Sequence, residues 1–328
     1  MSLKGLGKKL FIGGSAVGVL ALGGGYATYQ RRLKENRSMS AEAFNSQQDS
    51  SKVAWSLAHL TTKDSGLLPK LYRYTTCPWC GTVKSFLDCN NVNHECVEVE
   101  PMLKGELKES AYKKVPQLRF DVNGEKGPYL VDSKVIVDTL AQQLGYGKQL
   151  SDEEVQRWRE WARGPLVRLM TLEFNKSLID AWSGYSYIDK CDTIPTWNKW
   201  FLKVVGAPVM YLVALKITRP NLIKDGYMKE GDVPSVQFNA QLKRFAEEAL
   251  VDPKTKKAKV FHGGNKPDLA DMDTFGVLQA VRGHRIYDEI IMKSDLSSWL
   301  KEWTKLREMP LMESRNDPTI PSIFLLLV

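Results

Sequence analysis

The sequence predicts an α/β domain followed by an all-α region. A dithiol, Cys77-Pro78-Trp79-Cys80, stands between a strand-like run, Lys70-Leu-Tyr-Arg-Tyr74, and a segment with helical spacing at Val83, Phe86 and Leu87. Short alternating runs bounded by turn residues then recur as far as Val131. Beyond Leu150 no good strand candidate appears for about 160 residues, and apolar residues keep helical spacing.

In chain order, residues 38–67 are polar and aperiodic, a tether in which residues 53–60 could form a short helix or strand docking on the body. Residues 70–74 are the first strand and the dithiol opens the first helix, which Asn90-Asn91 ends. Residues 94–99 alternate as a strand through Cys96, Val97 and Val99, and residues 103–112 can make a helix. Val115-Pro116 precedes a strand over residues 117–122. Asn123-Gly124 is a hairpin turn pair and residues 129–131 are the return strand. Asp132-Ser133 then supplies cap residues for a helix bearing Val135, Ile136, Leu140 and Leu144. The order is βαβαββα.

Helices follow from Ser151, over residues 197–217 and 236–250, from Asp268 with a capping-box-like Asp-x-x-Asp, and over residues 296–307. The expected divisions are a basic-flanked membrane segment (1–37), a tether (38–67), an α/β domain (68–146) and a helical domain (147–315). The apolar run 323–328 is too short to span a bilayer.

The dithiol carries the chemistry. A thiolate at a helix N-terminus faces the positive end of the helix dipole, so Cys77 should have a lowered pKa and be nucleophilic near neutral pH. Pro78 suits the first helical turn, where its missing N–H costs nothing. Between a strand and a helix, Cys-x-x-C is a redox motif rather than half a zinc site. Cys89 and Cys96, seven apart with His94 between them, make a poor second ligand pair, so no metal is expected. Cys80, one helical turn inside, is the resolving thiol if a disulfide forms.

Bulk properties narrow the classes. With 328 residues there is room for two cored domains. Five cysteines, three of them within thirteen residues, are not a disulfide framework and favour a reducing compartment. The net charge is +8, but residues 1–37 hold seven cationic side chains and one acidic one, leaving +2 on the rest. A nearly neutral body excludes nucleic acid as a partner.

Residues 10–29 contain no charge, enough to cross a bilayer at ~1.5 Å per helical residue. Lys4, Lys8 and Lys9 precede them, and Arg31, Arg32, Lys34 and Arg37 follow. Gly14 and Gly18 form a small-xxx-small face. A retained single-pass anchor is favoured over a cleaved signal or mitochondrial targeting sequence. The flanks are too balanced to set orientation. The addresses left open are the mitochondrion and the Golgi or endomembranes, with the folded body in a reducing compartment.

An α/β domain with Cys-Pro-x-Cys, Val-Pro and Asp-Ser before an all-α domain resembles the glutathione transferase fold: a thioredoxin- or glutaredoxin-like N-terminal domain and a helical C-terminal domain. Within it the chain resembles the membrane-associated prostaglandin E synthase type 2 family. That likeness rests on Leu71-Tyr-Arg-Tyr-Thr-Thr-Cys-Pro-Trp-Cys80 with Val83-Lys84 and Phe86-Leu87-Asp88, and on Tyr112-Lys-Lys-Val-Pro116. It rests equally on Val131-Asp-Ser-x-Val-Ile136 and on Gly263-Gly-Asn-Lys-Pro-Asp-Leu-Ala-Asp271 with Gly276-Val-Leu278. Trp79 stands where the family commonly has Phe, and residues 180–235 match only loosely.

The resemblance implies a cis Val115–Pro116 bond facing the dithiol, with the Val115 backbone free to pair with glutathione. It implies that Ser133 and the helix amides hold a glutathione carboxylate while Asp132 takes the γ-glutamyl ammonium, both compatible with capping. Tyr74 becomes an active-site residue; by pattern alone it is a half-buried strand tyrosine. Cys89, Cys96 and Cys191 are expected to be packing residues. His262, His284, Arg282 and Arg285 are candidates for an anionic lipid or haem propionates, against a plain reading as surface charges.

The implied activity is glutathione-linked isomerisation of the prostaglandin H endoperoxide to prostaglandin E. Two alternatives are a glutaredoxin-type thiol–disulfide oxidoreductase and a glutathione- or haem-binding protein without turnover. The expected partners are a lipid endoperoxide and a membrane; a homodimer is left open by the residues.

Overall fold

The computed structural model of the chain describes residues 39–192 and 194–308. The segment expected to anchor in a membrane, residues 10–29, and the apolar run 323–328 lie outside the described residues.

Four strands, β1 (Leu67–Arg73), β2 (Glu95–Glu98), β3 (Gln117–Val122) and β4 (Tyr129–Val131), form one sheet in the order β2-β1-β3-β4. β1 pairs parallel with β2, and β3 pairs antiparallel with both β1 and β4. Asn123 and Gly124 both have positive φ, 51° and 84°, which the tight turn leaving β3 requires and which Asn and Gly tolerate. Leu71, Leu118 and Phe120 are fully buried on this sheet and share a core with Val83, Phe86, Ile136 and Leu140. The sheet thus packs against α3 (Pro78–Cys89), the dithiol helix, and α4 (Ser133–Gln143).

Two expectations need correction. The helix expected over residues 103–112 is only a 3-10 turn, Gly105–Leu107. The Glu100 side chain takes the Met102 N–H at 2.9 Å and also the Leu103 N–H, and Lys104 is left-handed at φ 51°, so helical backbone cannot propagate. The start of the polar tether is instead docked. Two helices, α1 (Ala41–Asn45) and α2 (Ser50–Ala58), precede β1. Asn45 accepts the Val131 N–H at 3.0 Å and donates to the Val131 carbonyl at 3.1 Å, while Gln48 accepts the Tyr129 N–H at 2.9 Å. These two amides cover the open edge of β4, which would otherwise be an unpaired template. Phe44 packs on Tyr112 and Tyr129 beside them.

After β4 the named elements are helical: α5 (Gly147–Leu150), α6 (Glu153–Trp161), α7 (Val167–Phe174), α8 (Leu178–Ser183), α9 (Thr196–Val213), α10 (Arg219–Lys224), α11 (Pro234–Arg244), α12 (Leu269–Gln279) and α13 (Ser297–Glu308). A π turn containing Pro165 joins α6 to α7, and another joins α9 to α10 into one helical run, Thr196–Lys224. α12 opens with a complete capping box between Asp268 and Asp271. The four Asp271 donors are the N–H groups of His262, Gly263 and Asp268 and the Trp299 indole. That buried carboxylate ties α12 to α13.

α3 and α12 meet at Gly81 and Gly276. A Cβ on Gly81 would lie 2.1 Å from the Gly276 carbonyl oxygen, and one on Gly276 would lie 2.4 Å from that of Gly81. Only hydrogen fits between these helices. Gly81→Ala should therefore force them apart and destabilise the fold by about 1–3 kcal/mol, the usual cost of overpacking. Urea denaturation measures it; an unchanged midpoint would mean that the crossing tolerates a methyl group.

Candidate active site

Cys77 is the N-cap of α3, with Pro78 in the first helical position. Its backbone N–H bonds the Tyr74 carbonyl at 3.1 Å, closing the turn out of β1, and its Sγ accepts the Cys80 N–H at 3.4 Å. Glu98 at the end of β2 holds the same turn, taking the Thr75 N–H at 2.5 Å and the Thr75 hydroxyl at 2.9 Å. The Arg73 guanidinium lies 3.5 Å from that carboxylate.

The two sulfurs are unequal. Cys77 is half-buried and Cys80 is only 1% exposed. The Cys77 thiol sits below its ordinary range, chiefly because the Cys80 side chain donates to it; the Cys80 and Trp79 N–H groups add to this, while burial opposes it. Cys80 is pushed well up by burial, and giving its proton to Cys77 raises it further. The largest cause is therefore the neighbouring thiol, where the sequence pointed to the helix dipole. Of the two sulfurs, Cys77 is the easier to ionise.

Tyr74 is half-buried, and its phenol is pushed well above its usual range, first by burial and then by the Cys80 and Cys77 sulfurs. It keeps its proton beside a developing thiolate and so is a donor rather than a base. Val115–Pro116 is cis. Tyr72 pairs with Gln117 in the β1–β3 ladder. Continuing that register two residues sets Val115 opposite Tyr74, and both pack on Tyr72, Val99 and Leu107.

Asp132 caps α4 from a left-handed backbone, φ 75°. Its Oδ1 accepts the Lys134 N–H at 2.9 Å and the Val135 N–H at 3.4 Å, and Oδ2 has no hydrogen-bond partner among the described residues. Ser133 is buried, and its hydroxyl accepts from Arg163 at 3.4 Å.

Three neighbours went unseen in the sequence. Arg163 reaches Ser133 from the helical region while pairing with Asp273 at 2.8 Å; Asp273 also pairs with Arg159, which reaches Asp138 at 2.6 Å. The spacing of Arg159 and Arg163 by one helical turn, among Trp158, Trp161 and Leu166, was the available signal of arginines turned inward. Glu98 follows β2 by alternation, but its grip on Thr75 is a tertiary contact. Tyr187, buried enough that its phenol is pushed well up, feels Glu98, Tyr185 and Tyr74 from the loosely matching region, and no local pattern announces it.

The haem candidates do not gather at this site. His262 Nδ1 is 2.5 Å from Asp268 Oδ2, inside the α12 cap network. Arg285 pairs with Asp180 and Glu289, and His284 stacks edge-on against Phe174 with its pKa lowered by burial. Arg282 bonds Gln279. Their partners are the protein's own side chains, so the residues present do not fit propionate binding. Cys89 and Cys96 pack against the main core and Cys191 lies in a small core with Ile188, Ile194 and Leu202.

Comparison with known proteins bears on this arrangement. The family described as glutathione S-transferase, N-terminal domain, matches residues 71–148, the dithiol-bearing part. Prostaglandin E synthase 2 of Mus musculus is 27% identical, with 90% of this chain and 83% of that protein covered. Along most of its length the chain is similar to prostaglandin E synthase 2. The Danio rerio protein of that name is likewise 27% identical over 74% of this chain and 72% of its own length. A solved glutathione S-transferase of Ceriporiopsis subvermispora aligns with a TM-score of 0.46 at 12% identity, covering 76% of this chain and 99% of that one. The matched family and the order of elements together give a fold of the glutathione transferase type, a thioredoxin-like domain followed by a helical region.

Cys80→Ala should move the pH profile of Cys77 alkylation by iodoacetamide upward, because the donor that holds the thiolate is gone. Cys80→Ser keeps a donor and should move it less. Cys77 should label first in the unaltered chain; first labelling at Cys89, whose thiol burial pushes up to about 12, would contradict the assignment.

Proposed function

We propose that the chain is a glutathione-linked prostaglandin E synthase, isomerising the prostaglandin H endoperoxide with Cys77 as the thiolate. The observation that carries this reading is the half-buried Cys77 sulfur at the α3 N-cap, accepting the Cys80 N–H at 3.4 Å, with Tyr74 at the other end of the same turn. Glutathione lies along the Val115 backbone, its γ-glutamyl ammonium on the open Asp132 Oδ2 and a carboxylate on the Ser133 hydroxyl and backbone N–H, the next two α4 amides being taken by Asp132 Oδ1. Arg163 backs that carboxylate through Ser133.

The Cys77 thiolate, or glutathione held beside it, attacks one peroxide oxygen. An S–O bond forms as the O–O bond breaks, and Tyr74 gives its proton to the oxygen that leaves as alkoxide. Loss of the ring C–H proton then forms the ketone, breaks the S–O bond and returns the thiolate. The ring proton replaces the one Tyr74 gave, so no net oxidation occurs. Tyr187, half-buried in the small core of the helical region and close enough to Tyr74 to feel it, gives the site an apolar wall suited to a lipid. Residues 10–29 serve as the single-pass anchor that keeps the protein near such a substrate.

A second reading, a glutaredoxin-type oxidoreductase, is favoured by one contact: the Cys80 N–H donates to Cys77 Sγ at 3.4 Å, which brings the second thiol one helical turn from the first, where it could close a disulfide on it. Cys80→Ser separates the two. Isomerisation should persist in that variant, within about tenfold, since only the thiolate's donor changes. A dithiol reductase would stall as a mixed disulfide on Cys77. Assays with prostaglandin H, a protein disulfide and a glutathionylated peptide, run side by side, check this. Strong disulfide reduction in the unaltered chain, lost in Cys80→Ser and without prostaglandin E formation, would select the second reading.

A further inference from the structure

The helical run Thr196–Lys224 is 29 residues long and apolar, yet only 17% of its apolar stretch is buried. Its outward face is continuous. Trp197, Phe201, Val205, Val209 and Leu212 recur at four- and three-residue steps with Trp200 beside Phe201, and all six are exposed, the two tryptophans by 66% and 64%. Adjacent α8 adds Ile179, 83% exposed. An apolar stripe of this length on one helix requires a cover.

The charges choose the cover. Residues 196–224 contain five cationic side chains, Lys199, Lys203, Lys216, Arg219 and Lys224, and no acidic one. Lys203 pairs with Asp189 outside the run, and Lys216 and Lys224 make no ion pair among the described residues. A second copy packed through this stripe would set cations against cations with nothing in the run to answer them. Exposed tryptophans beside lysines on an apolar face are instead the chemistry of the bilayer interface, where indoles sit at headgroup depth and lysines reach the phosphates.

We infer that this face docks on an anionic lipid surface and lies along it. The run cannot cross the bilayer, because its inner face is built into the body: Leu202 packs in the core with Cys191, and Ala214 and Leu222 belong to the main core. That inner face joins the layer holding Tyr185 and Tyr187, so docking sets the wall of the candidate site against the membrane. The inference goes beyond the anchor at residues 10–29 and is independent of it, although an anchor ending ten residues before Met39 would hold the body within about 35 Å of the bilayer.

Tryptophan supplies the test, because residues 1–38 contain none. The full chain is mixed with vesicles of equimolar phosphatidylcholine and phosphatidylglycerol carrying brominated acyl chains. Quenching then reports contact by the body, not by the N-terminal segment. The unaltered chain should be quenched, Trp197→Phe with Trp200→Phe should remove about half or more of the quenched emission, and Val205→Asp with Val209→Asp should abolish it. Pure phosphatidylcholine should weaken it. Vesicle sedimentation without tryptophan quenching would uphold the anchor and overturn the docking face. Quenching that survives in both double variants would also overturn it, as would an unquenched chain that forms a dimer dissociated by the two aspartates. Quenching of the unaltered chain with failure of the aspartate variant to sediment would uphold the face and count against the anchor.

Discussion

Gly81 and Gly276 approach so closely that each fills the space the other's Cβ would need. Because the helices touch through backbone, α12 fixes the position of α3, and with it the turn where Cys77 caps the helix. The buried Asp273 works at the same junction, holding Arg159 and Arg163 so that the second reaches Ser133 at the α4 N-terminus. Breaking such a pair from one side leaves charge uncompensated in the interior, which is why the network couples the two halves so firmly. Both ends of the proposed glutathione site, the dithiol and the Asp132-Ser133 cap, are thereby referred to one helix.

On that frame the chemistry follows from unequal burial. Cys80 is sealed in and keeps its proton, and the proton's best use is to stabilise charge on its half-buried neighbour. Tyr74 keeps its own proton for the same reason. A thiolate and a protonated phenol side by side can open a weak O–O bond and return unchanged. The same pair of sulfurs would serve a disulfide cycle, so the distinction lies in what enters the site.

Much of this was legible in the sequence where local rules dominate. Asn123-Gly124, Asp132-Ser133 and Asp268-x-x-Asp271 each adopt the turn or cap their side chains dictate, and the strand over residues 117–122 coincides with β3. The resemblance placed the cis Val115–Pro116 bond. Tertiary contacts were not legible. Glu100 turned an expected helix into a turn by capturing two N–H groups, and Asn45 and Gln48 made a polar stretch into a cover for β4. The histidines and arginines proposed for haem are polar in sequence but already paired in space, and only distances reveal that. Tyr187 reaches the site from a region where local pattern is silent.

On the proposed reading, a thiolate begins and ends the reaction unchanged. Its most direct test is the redox balance of a turnover: prostaglandin E formed from prostaglandin H, measured together with glutathione disulfide in the same sample. Isomerisation predicts prostaglandin E accumulating over many turnovers while reduced glutathione stays constant. One glutathione disulfide formed for each endoperoxide opened would contradict it.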